Sequence, residues 1–392
     1  MKRKSALLGI AALWAGCAVS SMAYAAEPSP PVLKIKAEAP LQLPDGWNFG
    51  EVAGVAVTSK GHVIAFLRAD QVGSAYAAKA AQLVEFDQNG KFVREIAHNH
   101  FAFSFAEAVR VDKNDNIWIV DKGSNMIVEF GQDGRAITHH SRREEPHEYR
   151  PPPSREVNRD YRAPVTMTSY FREPTDIAWD SNGNSYITDG YLDSRVAKWK
   201  AGGGHSDVMK LWGDRGTGPG QFYIPHGIAI DAKDNVYVAD RGNARIQVFD
   251  TEGQFLRQFT LVGQIPTYKI DPAVGNPLPI FMPDQPLNPR GDNPTVKKSY
   301  PVHPPEDMSY LPGSPTSICI TPPGPNQVLF IGDMVPSRIY KVNLDGKVLG
   351  MLGGAGGKLG QFRIPHALAC PNEHTLWVAD MTNWRVQKIT IE

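Results

Sequence analysis

Cysteine is scarce in this sequence, with 3 among 392 residues. Cys17 lies in an apolar N-terminal stretch, which leaves Cys319 and Cys370 for the body of the chain. Two cysteines exclude a multi-disulfide framework, and no C-x-x-C-H sequence is present to attach a haem, which argues against an electron-transfer protein of that kind. Both cysteines lie in apolar, strand-like runs. We expect them to be buried free thiols, with a single bridge between them as the alternative.

The sequence also lacks an excess of charge, with 41 basic and 41 acidic residues. This balance removes the general electrostatic basis for binding nucleic acid or an anionic membrane. No apolar run is long enough to span a bilayer, because residues 6–19 fall short of the roughly 20 that a helix needs. Lys2, Arg3 and Lys4 precede that run and a small-residue "AYA" site follows it. These features predict a signal peptide over residues 1–25 and export to the periplasm or beyond, with lipid attachment at Cys17 as the alternative.

Glycine (36) and proline (32) are plentiful, as in chains whose many short strands are joined by turns. One phrase, of the type "PHGIAID...NVYVAD...RIQVF", recurs along the chain. Its six copies begin at Ala53, Glu107, Pro174, Pro225, Pro315 and Pro365. The register of these copies is strict. The interval from the residue after the proline, or its equivalent, to the aspartate that ends the second strand is the same in four copies. These intervals are Glu107 to Asp121, Thr175 to Asp189, His226 to Asp240 and His366 to Asp380.

Each complete copy contains four strand-like segments, which in the fourth copy are "GIAI", "NVYVA", "RIQVF" and "QFLRQF". Four strands in a period of about 40 to 45 residues are typical of a propeller blade. The sequence therefore predicts an all-β, six-bladed β-propeller over residues 26–392. The last copy stops after three strands, so we expect a strand within Pro31–Leu43 to close the ring. Proline-rich insertions near residues 135–170 and 263–312 are interpreted as solvated loops or as a lid over one mouth of the ring.

The residue after the repeated proline, or its equivalent, differs between blades. In order, these residues are Ala53, Glu107, Thr175, His226, Thr316 and His366. The three that can bind a metal lie in alternate blades, about 120° apart in a sixfold ring, and we expect them to converge on the central channel. Two imidazoles and a carboxylate around an open position are a common set of ligands for catalytic zinc. The alternative is a polar lining of a water-filled channel.

Other polar residues share the register of the second strand. Arg68, Lys122 and Arg241 directly follow its last residue and predict a cationic rim suited to a carboxylate, or else solvated surface charges. Tyr191 lies two residues past Asp189 and is a candidate acid, base or hydrogen-bond donor, with packing on a turn as the alternative. The strand-end aspartates recur in five copies, and we interpret them as structural.

Two stretches carry a resemblance to a known family. "REPTDIAWDSNGNSYITDGYLDSRV" (172–196) and "GPGQFYIPHGIAIDAKDNVYVADRGNARIQVF" (218–249) resemble the NHL-repeat propellers and, among them, the peptidyl-α-hydroxyglycine α-amidating lyases. The resemblance implies a zinc ion on three histidines and cleavage of peptidyl-α-hydroxyglycine into a peptide amide and glyoxylate. It implies that His226 and His366 are ligands, that Tyr191 is the general base, and that Arg68 and Arg241 bind substrate.

The chain departs from the family at several positions. Glu107 stands at the first histidine, so the implied zinc ligands become Glu107, His226 and His366. Ala367 replaces an aspartate that serves calcium and catalysis, Ile364 a methionine and Leu192 a cysteine, so a calcium site and the family's disulfides are not supported. Because glutamate makes zinc a weaker Lewis acid, the substrate can differ. The sequence thus favours an exported metal-dependent lyase for a small peptide-like or carboxylate-bearing substrate. A hydrolase that uses the open metal position, or a non-catalytic propeller that binds a peptide, glycan or protein, is the alternative.

Overall fold

The computed structural model describes residues 29–68, 80–141, 171–204, 207–266, 309 and 311–392. Within them, 24 strands form six antiparallel sheets of four strands each. The predicted signal peptide, Cys17 and most of both insertions lie outside the described residues. No helix in the described part of the chain has the length and apolar character of a membrane span.

Each sheet is one blade, and the strands follow the chain from the channel outward. Blade 1 consists of β2 (Glu51–Val57), β3 (Val63–Arg68), β4 (Gln82–Phe86) and β5 (Phe92–Ile96). Blade 2 consists of β6 (Ala106–Val111), β7 (Ile117–Asp121), β8 (Met126–Phe130) and β9 (Ala136–His140). Blade 3 consists of β10 (Pro174–Trp179), β11 (Ser185–Asp189), β12 (Arg195–Trp199) and β13 (Val208–Trp212). Blade 4 consists of β14 (Pro225–Ile230), β15 (Val236–Asp240), β16 (Arg245–Phe249) and β17 (Phe255–Phe259). Blade 5 consists of β18 (Pro315–Ile320), β19 (Val328–Asp333), β20 (Arg338–Asn343) and β21 (Val348–Gly353).

Blade 6 closes the ring with both ends of the chain. It contains β22 (Pro365–Asn372), β23 (Thr375–Asp380), β24 (Arg385–Ile391) and, outermost, β1 (Ile35–Glu38). β1 pairs antiparallel with β24, Ile35 lying opposite Ile391. The innermost strand of every blade packs against that of the next, and β22 packs against β2. The predicted six-bladed propeller and its closure by an N-terminal strand are confirmed.

The innermost strands share a β-bulge at one level of the channel. In blade 2 the pairing passes from Ala106 opposite Asp121 to Ala108 opposite Val120 and leaves Glu107 out of the ladder. The corresponding residues left out in the other blades are Ala53, Thr175, His226, Thr316 and His366, and in blade 4 Gly227 is left out as well. An unpaired bulge residue bends its strand and re-aims its side chain. The six positions that the repeat register aligns are therefore the six bulges, and this backbone feature positions the site.

The strand-end aspartates hold the connections that enter the blades. In five blades this carboxylate accepts a hydrogen bond, 2.7 to 2.9 Å long, from a backbone N–H two residues before the innermost strand. The donors are Ser104, Arg172, Tyr223, Gly313 and Arg363. Asp240 and Asp380 also pair with Arg245 and Arg385. Their interpretation as structural residues is confirmed.

One of these aspartates makes stability depend on pH. Burial raises the pKa of Asp333 to about 8, although backbone N–H groups of Gly313 and Val335 donate to it. An unfolded aspartate titrates near pH 4, so between these values the folded state holds one more proton than the unfolded state. Stability should therefore fall as pH rises through this window, by up to about 1.4 kcal/mol per pH unit. We expect urea unfolding of Asp333→Asn at pH 5 and pH 8 to show a smaller fall than the parent protein shows. Equal falls would contradict this assignment.

Cys319 and Cys370 form a disulfide, which corrects the expectation of free thiols. They lie on β18 and β22, the adjacent innermost strands of blades 5 and 6, with Cα atoms 6.1 Å apart. Closing a loop over a sequence separation of 51 residues restricts the unfolded chain. We expect the double variant Cys319→Ser/Cys370→Ser to lose about 3 to 4 kcal/mol of unfolding free energy, measured by denaturant titration. An unchanged midpoint, or an equal response of both proteins to a reductant, would contradict the bridge.

Candidate metal centre

Glu107, His226 and His366 meet in the central channel. Each offers one ligand atom, and these atoms lie within 4.8 Å of one another. Glu107 Oε1 is 3.2 Å from His226 Nε2 and 3.7 Å from His366 Nε2. All three residues are buried. The structure thus brings together the three residues that the alternation of blades predicted to converge.

The geometry of this triad fits a small divalent cation. Tetrahedral zinc with bonds of about 2.0 to 2.2 Å holds its ligand atoms about 3.3 to 3.5 Å apart, and the two measured separations bracket that range. His366 Nδ1 lies 2.7 Å from the Ala53 carbonyl and donates to it, so the Nε2 of the neutral ring presents a lone pair to Glu107. Two acceptors that face each other are favourable only with a cation or proton between them. A hydrogen bond from the second imidazole nitrogen also orients metal-binding histidines in other proteins.

The protonation states also suit a metal. Burial by itself raises the pKa of Glu107, but Lys122, the two imidazoles and Arg68 outweigh it and hold that pKa well below its ordinary value. Burial lowers the pKa of His226 and lowers that of His366 to about 3. The carboxylate is therefore ionised and both rings are neutral near pH 7, the forms that bind metal ions.

Two of the predicted rim cations contact Glu107 directly. Arg68 Nη2 donates to Glu107 Oε2 at 2.9 Å, and Lys122 Nζ lies 3.5 Å from the same oxygen. Arg68 also donates to Glu51, a residue that the sequence pattern did not single out, and stacks over Phe105. One carboxylate oxygen of Glu107 thus faces the imidazoles while the other faces the cations. That Arg68 and Lys122 bind a substrate carboxylate stays a prediction.

Tyr191 lies on the solvent side of the triad and is partly exposed. Its hydroxyl is 3.2 Å from His226 Nε2 and 3.5 Å from Glu107 Oε1. Arg241 Nη1 donates to this hydroxyl at 3.4 Å, and Lys122 Nζ lies 3.9 Å from the centre of the phenol ring. The candidate base, the Glu107–His226–His366 triad and the three aligned cations therefore lie together at this level of the channel.

Comparison with known proteins agrees with this architecture. The profile of the NHL repeat family matches residues 222–249. An NHL repeat lies in blade 4. The chain is 27% identical over 231 residues to peptidylglycine α-amidating monooxygenase of Rattus norvegicus, a match that covers 53% of this chain and 22% of the rat protein. It is 26% identical over 214 residues to a protein of Caenorhabditis elegans named as a peptidyl-α-hydroxyglycine α-amidating lyase, covering 52% of this chain and 56% of that protein.

These matches have defined limits. The chain spans about a quarter of the length of the first curated relatives that it matches. Among solved structures, a gluconolactonase of Xanthomonas campestris superposes with a TM-score of 0.51 at 12% identity, covering 94% of this chain and 96% of the other. That likeness shows the fold alone. The sequence similarity is to enzymes of peptide amidation and also to NHL repeat-containing protein 3 of Mus musculus, which is 44% identical over 91 residues, covering 22% of this chain and 25% of that protein.

Proposed function

We propose that this NHL-repeat propeller is an exported zinc-dependent carbon–nitrogen lyase of the amidating type. Its substrate would be an α-hydroxyglycine-type compound, and its products an amide and glyoxylate. The observation that carries the proposal is the meeting of one carboxylate and two imidazoles with the Tyr191 hydroxyl, 3.2 Å from His226 Nε2. The similarity to the nematode protein named as an amidating lyase supports this reaction class.

Glu107, His226 and His366 would hold the metal. When bound, zinc would supply a Lewis acid beside the substrate hydroxyl. Glu107 adds a negative charge that a histidine would not bring, and Arg68 and Lys122 offset that charge at its second oxygen. We therefore propose that these two cations orient the Glu107 carboxylate and that their positive charge attracts anions to the pocket.

The remaining chemistry is assigned to side chains of this chain. Tyr191 takes the proton of the substrate hydroxyl. As the carbonyl forms, the carbon–nitrogen bond breaks, its electron pair stays with the amide nitrogen, and that nitrogen gains the proton that Tyr191 took from the hydroxyl. Bonds and charges balance without an oxidant or reductant. Arg241, which donates to Tyr191, would hold the substrate carboxylate, with Arg68 as the second predicted contact.

Export fits the covalent structure. Disulfides persist in oxidising compartments and are rare in the cytosol, and the Cys319–Cys370 bridge links two blades. This bridge supports the signal-peptide prediction, which rests on residues 1–25. We propose the periplasm or the extracellular space as the site of action.

The proposal is tested by supplying a peptidyl-α-hydroxyglycine to the zinc-loaded protein and following glyoxylate. We expect release well above the rate in buffer. A zinc-loaded protein that releases none would exclude the lyase and leave a metal centre of another activity. A protein that binds no zinc would favour the non-catalytic binding propeller.

A further inference from the structure

A largely buried ion pair lies in the channel next to the metal-ligand triad, on the side away from Tyr191. Arg110 follows Glu107 by three residues on β6, and Asp176 lies on β10. Arg110 Nε donates to Asp176 Oδ1 at 2.8 Å, and Nη2 donates to Oδ2 at 2.5 Å. A bidentate pair of this kind fixes both position and orientation. We call Arg110 and Asp176 the channel pair.

The channel pair reaches five of the six blades. Arg110 Nη1 donates to the Leu368 carbonyl at 3.0 Å, and Nη2 donates to the Ile318 carbonyl at 3.1 Å. The backbone N–H of Ile228 donates to Asp176 Oδ2 at 3.2 Å. These contacts join blades 2 and 3, which hold the pair, to blades 4, 5 and 6. One guanidinium thus crosses the channel axis.

All three ligand strands are tied to this pair close to their ligands. Arg110 is three residues after Glu107, Ile228 is two after His226, and Leu368 is two after His366. At about 3.3 Å per strand residue, each tie lies within roughly 7 to 10 Å of its ligand along the strand. The bulges leave the three ligand residues outside the hydrogen-bonded ladders. Sheet pairing within a blade therefore does not by itself fix the distance between ligands that lie in different blades. The channel pair adds polar ties between the three ligand strands to the packing of adjacent innermost strands.

The other side chains near the channel pair are small, and they leave open space at the opposite mouth of the channel. Beyond it lies a cavity of about 520 Å³, and Arg110 is the one charged residue among the described residues that line it. At the level of Arg110 the other blades present small side chains. These are Ala56, Ala178, Ala229, Cys319 and Ala369. The Cys319–Cys370 bridge ties blade 5 to blade 6, but the alanines of the other blades are too short to meet across the axis at this level.

We infer that Arg110 and Asp176 are positioning residues that hold the strands of Glu107, His226 and His366 at the separation required to bind one metal ion. This inference rests on the proposed metal centre and adds to it a residue pair that touches neither metal nor substrate. Loss of outer-shell partners of metal ligands typically weakens metal binding ten- to a hundredfold. We expect an effect of that size from the loss of the guanidinium fork.

The test compares Arg110→Lys with Arg195→Lys. Both replace the fork of a largely buried pair by a point charge, but Arg195 pairs with Asp189 inside blade 3, which carries no ligand. Zinc affinity is measured by competition with a chelator, the absorption spectrum of bound cobalt reports ligand geometry, and the unfolding midpoint of the metal-free protein reports stability. We expect Arg110→Lys to bind zinc ten- to a hundredfold more weakly with an altered cobalt spectrum. Arg195→Lys should match the parent in both.

Equal zinc affinity and cobalt spectra in Arg110→Lys and the parent protein would overturn the inference, as would an equal loss in both variants. If Arg110→Lys does not fold, Asp176→Asn, which removes the charge but keeps the shape, is read in the same way. A parent protein that binds no zinc would overturn the proposed function together with this inference. A parent that binds zinc as tightly as Arg110→Lys does would overturn this inference alone.

Discussion

Replacing His226 by alanine is expected to weaken zinc binding by more than about a hundredfold, because even an outer-shell change costs ten- to a hundredfold. The variant removes one of three ligand atoms and leaves Glu107 Oε1 with His366 alone. Glyoxylate release should fall to the rate in buffer. Zinc per chain after dialysis against a weak chelator, together with a competition titration, measures the effect.

The matched control for this prediction is Thr316→Ala. Thr316 occupies the equivalent bulge in blade 5 and is fully buried, but it is not a member of the triad. Its zinc affinity should equal that of the parent. Equal affinity in His226→Ala and the parent would remove His226 from the centre, and an equal loss in both variants would indicate a general effect on the channel.

Replacing Tyr191 by phenylalanine is expected to lower kcat by about 10² to 10⁴, the usual contribution of a positioned acid or base. The hydroxyl is the atom that lies beside His226 Nε2 and receives the hydrogen bond from Arg241. Zinc affinity should stay within about twofold of the parent, since Tyr191 is not a ligand. A single-turnover assay of glyoxylate release, with zinc content measured on the same sample, separates the two effects.

Tyr186→Phe is the control for Tyr191→Phe. Tyr186 lies in the same blade on β11, is fully buried, and donates to Asp180 at 3.0 Å away from the metal centre. We expect its kcat to match that of the parent. If Tyr191→Phe retained full kcat, Tyr191 would not be the base, and a base would have to be sought among other groups at the mouth of the pocket.

The fold could be predicted from the sequence because its period is visible. The interval from Glu107 to Asp121 recurs in four blades. It is constant because each blade repeats the same pairing of its two innermost strands. The same register placed Glu107, His226 and His366 at one level. The bulge that turns them out of their ladders was not visible, since it is a property of backbone pairing and no residue type marks it.

The partners of the charged residues could not be predicted in the same way. Arg68 and Lys122 were aligned as rim cations, but their contact with Glu107 depends on the rotation of that carboxylate between two blades. The bridge between Cys319 and Cys370 depends on two innermost strands lying side by side. Arg110 did leave a signal, because it is the one long charged residue at a register position where five blades have alanine or cysteine.

Glu107, His226 and His366 are proposed to bind one zinc ion. Anomalous diffraction at the zinc absorption edge, from crystals of the zinc-loaded protein, would locate that ion. We expect a single strong peak in the channel, within about 2.0 to 2.2 Å of Glu107 Oε1 and of the Nε2 atoms of both histidines. A channel without such a peak, or a peak bound by other residues, would contradict it.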